Sequence, residues 1–227
     1  MISYPDLVIF DCDGVLVDSE VLASRVVSET LSEYGINLSP QEVADKFAGY
    51  TDEAIRHYFS TTIDFILPDD FAQIIEQTTI AYIPDELKTL PFIKETLNNL
   101  AYSYCVASNS RTDRLDCALD STGLKDFFPK ERRFSSSQVK NPKPAPDLHL
   151  FACSKMGISP EQALVIEDTS TGVLAAVAAG ISVIGFTGAG HIIDNKAQGR
   201  KLIDAGAVAV FDDMRQLSTM LRDYSAA

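Results

Sequence analysis

Leu7-Val8-Ile9-Phe10-Asp11-Cys12-Asp13-Gly14-Val15-Leu16-Val17-Asp18-Ser19 decides how this chain folds. An uncharged run, LVIF, ends abruptly on carboxylates at i and i+2, and a glycine follows. A short continuous apolar run of this kind predicts a strand buried on both faces, as in a parallel sheet. In open α/β sheets, ligands bind outside the carboxyl ends of the strands, so Asp11 and Asp13 are expected to point into a cleft. Asp-x-Asp-Gly also occurs in turns and as a fragment of calcium loops. A calcium loop needs further oxygen ligands and a terminal Glu, and Leu16 and Val17 break that pattern.

Similar runs recur at Tyr104–Ala107, Ala163–Ile166 and Ile181–Phe186, with a last short strand at Ala207–Phe211 after Gly206. Helical segments lie between them. Pro91–Leu100 opens with a proline at a helix start, Asp147–Met156 ends before Gly157, and Thr171–Ala179 ends at Gly180. The alternation predicts an α/β fold with a Rossmann-like, doubly wound parallel sheet. About ninety residues separate the first two strands, too many for one crossover connection. Ser19 to Leu87 reads as almost entirely helical. Ala23, Val26, Val27, Thr30 and Leu31 repeat at helical spacing until Gly35, Ser39-Pro40-Gln41-Glu42 restarts a helix, and Phe71–Tyr82 is amphipathic. The expected organisation is a core of residues 1–16 and 89–227 with an all-helical cap domain, 17–88, inserted in it.

The chain of 227 residues is 46% hydrophobic and 22% charged, a globular composition that excludes collagen-like, low-complexity and wholly disordered classes. Nineteen basic against thirty-two acidic residues give a formal charge of -13. Such a surface repels nucleic acid and anionic lipid, so neither a nucleic-acid nor a membrane partner is expected. An anionic ligand would need local cations, backbone N–H groups or a metal. Cys12, Cys105, Cys117 and Cys153 form no CxxC pair, which points to reduced thiols in the cytoplasm. The N-terminus lacks the basic start and long apolar region of a signal peptide. Thr169–Gly190 is uncharged, yet glycines at 172, 180, 185, 188 and 190 interrupt it. It reads as a buried helix followed by a strand, not a membrane span. His57, His149 and His191 lack metal-ligand spacing.

Further polar residues end the other apolar runs. Glu167-Asp168 follow one of them, where adjacent acids are costly unless they bind a cation or cap the next helix, a part that Asp168 or Thr169 would suit. With Asp11 and Asp13, three or four carboxylates gather at neighbouring strand ends. Their mutual repulsion predicts a hard divalent cation, Mg²⁺. Val106-Ala107-Ser108-Asn109-Ser110 ends another run, and Asn141-Pro142-Lys143-Pro144-Ala145-Pro146-Asp147 holds Lys143 in a loop stiffened by proline on both sides. A lone loop Ser or surface Lys is unremarkable. Together they offer a hydroxyl and a point charge suited to phosphate oxygens near a metal.

The motifs DCDGVLVDSE, VASNS, KPAPD and VIEDTSTG, in that order along the whole core, resemble those of the haloacid dehalogenase-like phosphohydrolase superfamily. The helical insertion directly after the first motif is similar to the small helical cap of the branch containing β-phosphoglucomutase and sugar-phosphate phosphatases. Ile184–His191 also resembles a segment of phosphatases acting on small sugar or sugar-acid phosphates. The resemblance implies that Asp11 is the nucleophile and forms an aspartyl-phosphate. Asp13 would protonate the leaving alkoxide and later deprotonate water. Mg²⁺ would be held by Asp11, the Asp13 carbonyl and Asp168, with Glu167 either a direct ligand or one step behind. Ser108 and Lys143 would hold the phosphoryl oxygens, with Asn109 nearby.

Asp13 narrows the chemistry that the resemblance implies. Dehalogenases have no acid there, and P-type ATPases have a threonine there together with transmembrane domains that this chain lacks. A phosphonate-cleaving relative would use a cap lysine, but Lys46 precedes Phe47-Ala48-Gly49-Tyr50-Thr51, which looks like the ordinary cap loop. Lys46 and Gly49 are candidate substrate contacts, as is Arg111 just past VASNS. The expected function is a monomeric, cytoplasmic, Mg²⁺-dependent phosphatase of a small phosphoester, a sugar or sugar-acid phosphate such as 6-phosphogluconate. A β-phosphoglucomutase-like phosphomutase is the alternative, and a non-catalytic regulatory protein of the same fold stands behind both.

Overall fold

The computed structural model describes residues 5–47, 50–192 and 194–226. The chain divides into two compact units, Met1–Asp18 with Lys88–Ala227, and Ser19–Leu87.

The first unit is built on six parallel strands: β1 (Leu7–Phe10), β2 (Ser103–Ser108), β3 (Arg133–Ser135), β4 (Ala163–Glu167), β5 (Ser182–Phe186) and β6 (Ala209–Phe211). Their order is β3-β2-β1-β4-β5-β6. β1 lies at the centre, with Leu7 opposite Ser103 on one side and Ala163 on the other. All four of its residues are fully buried, which is why the run is uncharged. Leu7 and Ile9 face a core built with Leu148, Ala152, Val173 and Ala176, from the helices α7 (Asp147–Met156) and α8 (Ser170–Ala178). With the alternation of a strand, Phe10 faces the other way and meets Phe128, ring centroids 6.2 Å apart. The chain runs outward from β1 to β3 and then crosses back to β4. The order therefore reverses between β1 and β4, and the crevice at a reversal is where doubly wound sheets bind ligands.

Several boundaries differ from the sequence reading, and one strand is new. β3 escapes the apolar pattern because it carries Arg133. That side chain is buried, donating through Nη1 to Asp116 (2.8 Å), through Nη2 to Asp120 (2.7 Å) and through Nε to the Phe128 carbonyl. The helix expected from Pro91 begins later, as α5 (Ile93–Asn99), because Phe92 takes a left-handed φ of 64°. Thr169–Gly190 folds as α8 and β5, and no helix among the described residues is long and apolar enough to cross a membrane. The remaining helices of this unit are α6 (Thr112–Ser121), α9 (Asn195–Ala205) and α10 (Leu217–Ala226). All four cysteines are free.

The second unit is helical: α1 (Glu20–Glu33), α2 (Pro40–Phe47), α3 (Asp52–Tyr58), a π-helical turn at Phe59–Ile63, and α4 (Phe71–Glu86). Gly35 (φ +81°) follows the end of α1 in a conformation that an L side chain resists. Pro40 opens α2 beneath a reciprocal cap: the Ser39 N–H donates to the Glu42 carboxylate, and the Glu42 N–H to the Ser39 hydroxyl. α4 runs past the expected end at Tyr82 to Glu86, with Pro84 inside its last turn.

Candidate active site

The end of β1 sets the first acid. The Asp11 N–H still donates to the Ile166 carbonyl of β4 (3.0 Å), so the ladder carries its side chain to the β1–β4 crevice before the chain turns away. The turn closes at once, with the Gly14 N–H bonded to the Val17 carbonyl (2.9 Å). Gly14 sits at φ +76° directly against Asp168, where a Cβ would come within 1.9 Å of Oδ2. Only glycine lets this loop lie over that carboxylate.

Asp11, Glu167 and Asp168 are all buried, and one carboxylate oxygen from each lies within 4.8 Å of the others. Lys143 enters the cluster with its side chain only 2% exposed. Its Nζ lies 2.6 Å from Asp11 Oδ1 and 2.8 Å from Glu167 Oε1. Glu167 is held hard in place, because its Oε2 accepts from the N–H groups of Asp168 (2.8 Å) and Thr169 (2.9 Å) and from the Thr169 hydroxyl (3.1 Å). Thr169 caps α8, accepting from the Gly172 N–H, so neither acid does. Gly172 leaves room for Glu167, since a Cβ there would meet Oε1 at 1.6 Å.

Burial pushes the Asp11 carboxyl up to about 8; Glu167 and Asp13 add to the rise, and Lys143 opposes it. Burial works against the charge on Lys143, but Asp11 and Glu167 prevail and raise it above its ordinary value. One ammonium among three buried carboxylates leaves the cluster short of positive charge. The donors are all hard oxygens, the set that Mg²⁺ prefers, so these residues fit a divalent cation of that kind.

Asp13 lies beside this cluster. Its Oδ2 accepts from the Ser108 hydroxyl (3.2 Å) and the Ser110 hydroxyl (2.8 Å), and Arg114 Nη2 of α6 is 3.8 Å from its Oδ1. Asn109 is turned to another task. Its amide oxygen accepts the Lys143 N–H and its amide nitrogen donates to the Lys143 carbonyl, both at 3.0 Å, so it clamps the lysine's backbone. Gln198 of α9 donates to the Asp168 carbonyl at 2.6 Å.

The structure thus gathers Asp11, Asp13, Ser108, Asn109, Lys143, Glu167 and Asp168 at the carboxyl end of the sheet's central strands. Arg111 stands apart, an exposed residue at the start of α6, 3.8 Å from Asp113. Lys46 belongs to the helical unit, its Nζ 4.8 Å from the Tyr58 ring centroid and 5.7 Å from that of Phe47. Gly49 lies outside the described residues. Ser110, Arg114 and Gln198 were not singled out from the sequence. The only local signal for the first two is spacing, since Ser110 repeats Ser108 at i+2 and Arg114 follows Ser110 at i+4.

The family model described as haloacid dehalogenase-like hydrolase matches residues 8–186. The 6-phosphogluconate phosphatase of Escherichia coli strain K12 is 29% identical over 187 residues, 82% of this chain and 84% of that protein. Among solved structures, a haloacid dehalogenase-like protein of unknown function from Agrobacterium tumefaciens superposes with a TM-score of 0.86 at 35% identity, covering 96% of this chain and 98% of that one. A hydrolase of the same family from Deinococcus radiodurans, with bound phosphate and sodium, gives 0.80 at 32%, covering 98% and 97%.

Proposed function

The chain belongs to the haloacid dehalogenase-like hydrolase family, and we propose that it is a Mg²⁺-dependent phosphatase of a small sugar or sugar-acid phosphate such as 6-phosphogluconate. It is a phosphoric monoester hydrolase, as its relatives named phosphatases support. The observation that carries the reading is the buried carboxylate cluster bridged by Lys143 at the β1–β4 crevice. Mg²⁺ held there by Asp11, the Asp13 carbonyl and Asp168 would supply neutralising charge for a dianionic phosphate.

The chain's own residues then have separable tasks. An Asp11 oxygen attacks phosphorus and the ester P–O bond breaks, leaving an aspartyl-phosphate. Asp13 gives its proton to the departing alkoxide. It next takes a proton from the attacking water, and the P–O bond to Asp11 breaks to release phosphate. Lys143 and Ser108 hold phosphoryl oxygens, and Asn109 acts by fixing the Lys143 backbone. Glu167 keeps Lys143 and the following loop in register.

We read the helical unit as the cap that selects the leaving group, with Lys46, Gly49 and the core residue Arg111 as candidate contacts. The free thiols fit a cytoplasmic protein, and we expect a monomer. The test is phosphate release from a panel of small phosphoesters, with Mg²⁺ or with EDTA, beside an Asp11→Asn control. Mg²⁺-dependent release from a sugar or sugar-acid phosphate, absent in the control, supports the reading. Isomerised sugar phosphate without free phosphate would replace it with a mutase.

A further inference from the structure

We propose that Arg114 is a positioning residue that aims the Asp13 carboxylate at the leaving-group oxygen, an inference that rests on the phosphatase reading. Asp13 lies beyond the end of β1 with its side chain 24% exposed, so packing alone does not fix its orientation. Two kinds of contact address it instead: the Ser108 and Ser110 hydroxyls donate to Oδ2, while the Arg114 guanidinium forms a longer ion pair, 3.8 Å from Oδ1. The hydroxyls on Oδ2 restrain rotation about the Cβ–Cγ bond, the guanidinium biases which way Oδ1 turns, and Oδ1 is the oxygen that carries the proton.

The two hydroxyls are not equivalent during turnover. A serine has one proton to donate. When the Ser108 hydroxyl turns its hydrogen bond to a phosphoryl oxygen, its bond to Asp13 is lost, and Ser110 and Arg114 remain to hold the acid. Arg114 is suited to this because it projects from a fixed base. α6 is anchored by buried Leu115, Ala118 and Leu119, and its first residue, Thr112, shares a 2.7 Å hydrogen bond with Ser135 at the end of β3. The Arg114 side chain is itself only 18% exposed, so solvent screens its charge little. Groups held by rigid elements keep the alignment that proton transfer needs, and a misplacement of about 1 Å can cost about a hundredfold in rate.

The test uses esters that differ in their need for a proton. An alkoxide leaving group must be protonated, whereas p-nitrophenolate leaves without help. Because kcat/KM reports only the steps through release of the alcohol, it isolates this demand. In Arg114→Gln, kcat/KM for glucose 6-phosphate should fall on the order of ten- to a hundredfold, and that for p-nitrophenyl phosphate by no more than about twofold. Arg114→Lys should recover part of the loss, and it carries the same comparison should Arg114→Gln not fold. Equal falls for both esters would overturn the proposal, as would unchanged values. A fall confined to 6-phosphogluconate and expressed in KM would also overturn it, because Arg114 would then be reading the substrate's carboxylate. A wild-type chain that releases phosphate from none of the esters would instead overturn the phosphatase reading, and this inference with it.

Discussion

Replacing Asp11 by Asn should stabilise the metal-free protein, and by an amount that grows with pH. Asp11 is buried against Glu167 with Lys143 as its cationic partner. Burial above all, with Glu167 and Asp13 behind it, raises its carboxyl from 3.8 to about 8. Between those values the folded chain holds a proton that the unfolded chain has released. Stability therefore falls as pH rises: the contribution is full below the unfolded value and gone once pH has passed the folded one. The slope for one proton is about 1.4 kcal/mol per pH unit. Asparagine carries no such proton, so the stability difference between variant and wild type should widen by about 3 kcal/mol from about pH 5.5 to 7.5. Urea unfolding of both proteins in EDTA across that range measures it, and groups that titrate alike in both cancel in the difference. Adding Mg²⁺ should abolish the widening, because a cation at the cluster favours ionised Asp11. A difference that stays flat or narrows with pH in EDTA would refute the reasoning.

Gly14→Ala drives a Cβ into Asp168 and forces a left-handed φ on alanine; turnover should fall about a hundredfold or more, with weaker Mg²⁺ binding by calorimetry. Asn109→Ala removes both hydrogen bonds to the Lys143 backbone. At roughly 1 kcal/mol each, the loss should weaken competitive inhibition by inorganic phosphate about tenfold or more, and an unchanged inhibition constant would deny the clamp. His149 is held neutral, its pKa pushed well below the ordinary 6.5 by burial and by nearby Lys143. The unfolded chain takes up that proton as pH falls below 6.5, so wild-type stability should drop on the acid side by up to about 1.4 kcal/mol per unit relative to His149→Leu. Unfolding midpoints at pH 6.5 and 5 would test it.

What was legible in the sequence follows from the cost of burial. β1 and β4 announce themselves because a strand buried on both faces excludes charge along its length. Asp11, Asp13, Glu167 and Asp168 then stand out, since acids clustered at the ends of such strands serve no purpose in packing. β3 was hidden for the converse reason: Arg133 sits in the sheet only because Asp116 and Asp120 of α6 neutralise it, and nothing local in three residues reveals that pairing. Asn109 shows how position and bonding come apart. Its place after Ser108 marks it for the site, but that its amide serves a backbone 34 positions on is a fact of the assembled fold. Arg114 and Gln198 are ordinary helix residues in sequence and reach Asp13 and Asp168 only once α6 and α9 have docked. A buried charge leaves a local mark because it offends the strand that carries it. The groups that offset it come from wherever the chain passes, so a site of this kind shows its acids in the sequence and its supporting donors only in three dimensions.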